Sequence, residues 1–86
     1  MNALIGDIGN TITKICLIEV KTLKIKKKIN FNSANISSIR LLKKNLAKII
    51  KSKNIYKVAL FSSVVPRYQF ILSKYLKKIY KIKLRE

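Results

Sequence analysis

The chain has 86 residues, which is enough for one small domain but not for two. It carries 20 Lys and Arg residues against 3 Asp and Glu residues, so its formal net charge at pH 7 is +17. The lack of histidine excludes a histidine base or metal ligand, and the single cysteine excludes an internal disulfide. No leader and no apolar run of roughly 18 residues are found, so we expect a cytoplasmic protein without membrane contacts.

The positive charge has two interpretations. A strongly basic protein attracts nucleic acid or anionic surfaces, so a small basic binding module is one hypothesis for function. The lysines, however, are spread over every predicted element, and arginine, which makes bidentate contacts with bases and phosphates, is scarce. We therefore favour a solvated lysine surface and do not expect nucleic acid as the partner. The same charge still attracts small anions such as nucleotides.

The first predicted element is a strand at residues 3–8. This run is apolar without alternation, which is typical of a central strand covered on both faces. It contains one glycine, Gly6, which indicates either a small residue under a packed helix, the interpretation that we favour, or the close approach of another backbone or a ligand. It also contains one acid, Asp7, and a carboxylate in such a run needs a metal ion, a cation or several hydrogen-bond donors.

A turn follows this strand directly. Gly9 and Asn10 predict a two-residue hairpin turn, because both residues tolerate positive φ. Thr11, Thr13 and Lys14 then supply two hydroxyls and an ammonium. Backbone N–H groups in such a turn can bind phosphate, and the preceding carboxylate can hold a metal ion. The same residues are also explained by a solvated turn whose aspartate accepts hydrogen bonds from the turn itself.

Two more strands complete a predicted antiparallel meander over the first 31 residues. Residues 12–20 alternate between the two faces, with Thr13, Ile15 and Leu17 on one side. The third strand, residues 23–31, carries lysines on one face that protect a sheet edge from pairing with another chain. The residues that we predict on its other, apolar face are Leu23, Ile25, Ile29 and Phe31.

Two helices and two strands complete the chain. A helix is predicted at residues 38–52, capped by Ser37 or Ser38, and a strand at 57–63 that runs parallel to the first. Pro66 is suited to the first turn of a second amphipathic helix, and residues 80–84 indicate a last strand. The order β-β-β-α-β-α-β predicts an α/β fold with a mixed sheet.

This order resembles the ribonuclease-H-like half of the superfamily that contains sugar kinases, heat-shock ATPases and actin. In that superfamily, a first hairpin that is opened by an aspartate cradles nucleotide phosphates. Two motifs narrow the resemblance, namely Asp7-Ile8-Gly9-Asn10-Thr11 and, about fifty residues later, Ser62-Ser63-Val64-Val65-Pro66. Together they resemble type III pantothenate kinase, the bacterial enzyme that phosphorylates pantothenate with ATP at the start of coenzyme A synthesis.

The resemblance implies specific roles in binding ATP. Asp7 positions the metal–phosphate group, with Mg²⁺ as the metal and K⁺ as the expected monovalent cation. Phosphate oxygens contact the turn through its backbone and side chains, and Lys14 adds a point charge. The segment 62–66 lies at the cleft end of the fourth strand and receives no catalytic role. The implied ATP-binding residues are Asp7, Ile8, Gly9, Asn10, Thr11, Ile12, Thr13 and Lys14.

The resemblance also implies that a part of the kinase is missing. Members of the family have two domains, and a Gly-x-Asp-Arg segment binds pantothenate and carries the catalytic aspartate. Neither this segment nor a second phosphate hairpin occurs in the 86 residues. We therefore expect a single, incomplete N-terminal nucleotide-binding domain that is inactive alone and takes pantothenate only when the second domain is supplied. We assign no catalytic residue, and the family also implies a homodimer.

Overall fold

The computed structural model describes residues 1–51 and 54–86. Within these ranges, the elements confirm the predicted order β-β-β-α-β-α-β and the α/β fold class. None of the described helices combines the length and the apolar character that crossing a bilayer requires. The elements are β1 (Asn2–Ile8), β2 (Ile12–Glu19), β3 (Ile25–Asn32), a 3-10 helix (Ser33–Ser37), α1 (Ile39–Ile49), β4 (Val58–Ser63), α2 (Pro66–Tyr75), a π-helical segment (Leu76–Tyr80) and β5 (Lys83–Arg85).

The strands form one mixed sheet in the order β3-β2-β1-β4-β5. β1 pairs antiparallel with β2 and parallel with β4, as predicted, and β5 is parallel to β4. The connections from β3 to β4 and from β4 to β5 cross the sheet in the same direction. Because such crossovers are right-handed, both helices lie on one face, which we call the helical face. The other, the open face, carries Ala3, Ile5 and Asp7 of β1 with their register partners.

The hydrophobic core lies between the helices and the helical face. Alternate residues of the central strands point into it, and they meet the apolar stripes of both helices. Ser38 caps α1, because its Oγ accepts a hydrogen bond from the N–H of Leu41 at 3.4 Å. Pro66 begins α2, as predicted. Buried core residues include Leu4, Ile8, Ile15, Phe31, Leu42, Leu46, Ala59, Phe61, Leu72 and Leu76.

The expected cover on both faces of β1 is wrong for the described residues. β1 is central in the sheet, but both helices pack on its helical face, and Asp7 on the open face is exposed. The prediction was wrong because Ala3 and Ile5 are apolar, as residues under a second layer of helices would be, although they lie half-buried on the open face. The boundaries of α1 and β5 also differ from the predicted ones. α1 ends at Ile49, before the predicted end at residue 52, which lies outside the described residues. β5 begins at Lys83, after the π-helical segment and not at the predicted residue 80.

For two residues of the predicted third strand, the predicted position on its apolar face is wrong. Leu23 is 71% exposed and lies in the turn before β3 with a φ of 59°. Ile25 is 59% exposed because the pairing of β2 and β3 shifts between Leu17 and Ile18. This β-bulge places Ile25 opposite Ile18 on the open face, whereas Ile29 and Phe31 follow the predicted alternation.

Gly6 has a packing role that involves the neighbouring strand. It lies opposite Phe61 of β4, and a Cβ atom at Gly6 would lie within 2.8 Å of three ring carbons of Phe61. The ring is fully enclosed in the core and therefore cannot move aside easily. The group that approaches Gly6 is therefore a side chain of the core, and it is neither another backbone nor a ligand.

Replacing Gly6 should therefore destabilise the protein. We expect Gly6→Ala to lower the free energy of unfolding by about 1–3 kcal/mol, because the added methyl group overpacks the core. Phe61→Leu should lose stability by leaving a cavity, but in the double variant the leucine should accommodate the methyl group. Urea unfolding followed by circular dichroism measures all three. Strictly additive losses in the double variant would show that Gly6 and Phe61 are not coupled.

Candidate functional site

The predicted site residues gather at one edge of the sheet. The parallel strands β1 and β4 both end there, with Asp7 opposite Ser62 and Ile8 opposite Ser63. On the other side of β1, Lys14 of β2 lies opposite Asp7. Asp7, Lys14 and Ser62 thus lie side by side on the open face. In α/β sheets, ligands commonly bind outside the carboxyl ends of parallel strands, and this edge has that position.

Asp7 is oriented by a residue 55 positions away. Ser62 Oγ donates a hydrogen bond to Asp7 Oδ1 at 2.8 Å, and Oδ2 has no hydrogen-bond partner among the described residues. Lys14 is not within ion-pair distance, since the one ion pair of the described residues joins the N-terminal amine to Glu19. The carboxylate is exposed, so the expectation that burial forces it to find a partner is wrong. It is held by one donor and keeps a free oxygen for a cation.

The loop between β1 and β2 is wider than the predicted two-residue turn. Neither Gly9 nor Asn10 has a positive φ, and Gly9 N donates a hydrogen bond to Ile12 O at 3.1 Å. Glycine is still required, because a Cβ atom at Gly9 would lie 2.8 Å from that same oxygen. Within the described chain, no hydrogen bond occupies the backbone N–H groups of Asn10 and Thr11. Both groups are thus available to an anion.

Two buried hydroxyls anchor this loop to the start of the 3-10 helix. Ser33 Oγ donates to the carbonyl of Gly9 at 2.7 Å, so the hydroxyl of Thr13, also at 2.7 Å, must donate to Ser33 Oγ. Ser33 N also donates to the carbonyl of Thr11 at 2.8 Å. Thr13 and Ser33 are fully buried, so the Thr13 hydroxyl acts on a ligand only through the loop. Sequence analysis did not identify Ser33, since no local pattern indicates this contact.

The other predicted residues divide by their accessibility. Asp7, Asn10, Thr11, Ile12 and Lys14 are exposed and Gly9 is half-buried, so a ligand at this edge can reach them. The Ile8 side chain is buried in the core, and its carbonyl accepts a hydrogen bond from Val64 N at 3.1 Å.

The segment after β4 completes the same edge. Ser63 Oγ accepts a hydrogen bond from Val65 N and donates one to Val65 O, both at 3.1 Å, which forms a tight turn before α2. Val65 is the N-cap residue, and its side chain cannot accept a hydrogen bond from the first turn of the helix. The start of α2 therefore adds partial positive charge at this edge, where an anion is favoured.

A metal ion fits this edge only together with a ligand. Among the described residues, no group of three or more His, Cys, Asp and Glu side chains could hold a metal. Mg²⁺, however, is commonly bound by one or two carboxylates together with substrate phosphates, and Asp7 supplies one such carboxylate. The edge is also open. Two cavities of about 500 and 320 Å³ lie elsewhere, and none of residues 7–14 lines either of them.

The buried hydroxyl pair generates a stability prediction. Ser33→Ala removes the donor to Gly9 and leaves the Thr13 hydroxyl without its acceptor, so we expect a loss of about 1–3 kcal/mol of unfolding free energy. The double variant Thr13→Val, Ser33→Ala should recover a part of that loss, because no buried hydroxyl is then unpaired. Chemical unfolding measures both. The control is Ser37→Ala, an exposed serine in the same 3-10 helix, and an equal loss there would contradict the role of Ser33.

Comparison with known proteins agrees with the predicted resemblance. A family model described as type III pantothenate kinase matches residues 3–86. A type III pantothenate kinase from Pelagibacter ubique (strain HTCC1062) is 47% identical in an alignment of 89 positions that covers 96% of this chain and 33% of the relative. The chain thus spans about a third of the length of this curated relative. Since the family model covers nearly the whole sequence, the chain belongs to the type III pantothenate kinase family.

Proposed function

We propose that this chain is the nucleotide-phosphate part of an ATP-dependent pantothenate kinase. The observation that carries the proposal is Asp7, which Ser62 orients at the edge where β1 and β4 end. Two free N–H groups of the adjacent loop and the start of α2 favour anions at the same edge. The 47% identical relative is a type III pantothenate kinase, which supports the proposal that this protein acts in coenzyme A biosynthesis in the cytoplasm.

Each residue has a physical role in this proposal. Mg²⁺, when bound, would neutralise the charge of the nucleotide phosphates. Asp7 would hold the metal–phosphate group with its free oxygen, and the N–H groups of Asn10 and Thr11 would donate to phosphate oxygens. Lys14 adds a positive charge without a fixed contact, and the net charge of +17 attracts the nucleotide from a distance. Ser33 and Thr13 hold the loop in place, so that little order is lost on binding.

The proposal predicts weak binding of Mg²⁺–ATP that depends on Asp7. We expect Asp7→Asn to weaken binding about tenfold or more, because a hydrogen-bonded charge is lost from the metal site. Ser62→Ala should have a smaller effect of the same sign, since Asp7 loses only its orientation. The measurement is a titration followed by NMR, with and without Mg²⁺.

Glu19→Gln is the matched control for this titration. It removes another carboxylate, at the opposite end of β1, where Glu19 lies opposite Asn2. Binding that falls equally in Asp7→Asn and Glu19→Gln would reflect net charge alone. The same variants test the alternative function, a basic binding module. DNA binding that depends steeply on salt and is unchanged in Asp7→Asn would favour that alternative.

We further propose that the 86 residues do not phosphorylate pantothenate on their own. Phosphoryl transfer depends on positioning and charge stabilisation from all sides, and no Gly-x-Asp-Arg sequence is present to bind pantothenate. We expect no phosphopantothenate above background when the purified chain is incubated with Mg²⁺, K⁺, ATP and labelled pantothenate. Turnover that disappears in Asp7→Ala would overturn this expectation. Turnover that persists in Asp7→Ala would indicate a contaminating kinase.

A further inference from the structure

A line of polar side chains crosses the open face at the edge where β1 and β4 end. The register places Asp7 between Ser62 on one side and Lys14 on the other. On the far side of Lys14 lies Asn30 of β3. All of these side chains point to the same face and follow one another from strand to strand. We call the four residues the polar row, and Asn30 is the member without an assigned role.

The next row on the same face has the opposite character. Two residues further from the edge along each strand, Leu60, Ile5 and Cys16 lie side by side, followed by Lys28. The change from polar to apolar therefore occurs in three adjacent strands at once, at the position of the proposed nucleotide site. Only one member of the polar row is a lysine, so the row differs from the basic surface that every element carries.

The side chain of Asn30 is suited to an anion that Lys14 attracts. Asn30 is exposed, and within the described chain its amide makes no hydrogen bond. Directly opposite residues of an antiparallel pair have Cβ atoms about 4.5–5.5 Å apart, so a group bound at Lys14 lies within reach of Asn30. The amide carries two N–H donors. A phosphate oxygen can thus contact the ammonium and the amide together.

Other asparagines of the chain have a structural explanation that Asn30 lacks. Asn32 lies opposite Ile12, and its Oδ1 caps the 3-10 helix by accepting a hydrogen bond from Ala34 N at 3.0 Å. Asn45 of α1 donates from Nδ2 to the carbonyl of Leu41 at 3.0 Å. Asparagine is unfavourable within strands, and Asn30 gains no such contact in return. A ligand would supply the missing partner.

We propose that Asn30 is a further phosphate-binding residue and that the phosphate chain of the nucleotide runs across the strands along the polar row. The inference rests on the proposed function, since it takes the metal–phosphate group to be held by Asp7. Two strand spacings, about 10 Å, separate Asp7 from Asn30. A single phosphate group is too small to contact both residues, whereas a chain of phosphates extends from Asp7 over Lys14 to Asn30. The ligand class is therefore an oligophosphate.

The side-chain amide of Asn30 reports this contact directly in NMR. We expect its N–H signals to shift when the full chain is titrated with Mg²⁺–ATP. They should also shift with Mg²⁺–tripolyphosphate, which lacks the nucleoside. The side-chain amide of Asn45 on α1 is the reference and should change little. Shifts with ATP in the absence of shifts with tripolyphosphate would assign Asn30 to the nucleoside and overturn the phosphate contact.

Matched variants separate a local contact from net charge. Asn30→Asp should weaken the binding of Mg²⁺–tripolyphosphate about tenfold, because a carboxylate then faces the phosphates. Asn30→Ala should weaken it about threefold through the loss of one hydrogen bond. Asn45→Asp makes the same change of charge on α1 and should have less than about a twofold effect. Circular dichroism verifies that each variant is folded.

The outcomes distinguish this inference from the proposed function. If the backbone signals of Asn10 and Thr11 shift but both Asn30 variants bind as the unmodified chain does, the nucleotide site stands and the role of Asn30 is overturned. Equal weakening by Asn30→Asp and Asn45→Asp would show an effect of net charge and would also overturn it. If no signal shifts with either ligand, the proposed function and the role of Asn30 fail together.

Discussion

The parallel pairing of β1 with β4 is the constraint on which the rest of the structure depends. Buried residues on the helical face, such as Leu4 and Ala59, fix the register, since a shift by one residue would turn every side chain to the opposite face. The fit of the Phe61 ring over Gly6 makes the register specific. Asp7 and Ser62 meet on the open face only in this register. Packing on one face of the sheet therefore determines the chemistry on the other.

The second constraint is the anchoring of the loop between β1 and β2. Ser33 lies just after β3, yet it hydrogen-bonds to both Gly9 and Thr11, so the loop is held by the third strand of the meander. No buried side-chain N or O atom among the described residues lacks a hydrogen-bond partner, so this polar pair in the core is fully satisfied. A satisfied network of this kind holds the loop in place, so its two N–H groups without a partner among the described residues can bind an anion with little reorganisation.

The sequence predicts those features that depend on local pattern. Alternation identified β2, helical spacing identified α1 and α2, and Pro66 identified the start of α2. Contacts between distant residues were not accessible in this way, as the β-bulge that exposes Ile25 and the hydrogen bond of Ser33 to Gly9 show. The motif around Asp7 was identified by resemblance, but its exposure was not, because an apolar strand has the same composition whether one face or both are covered.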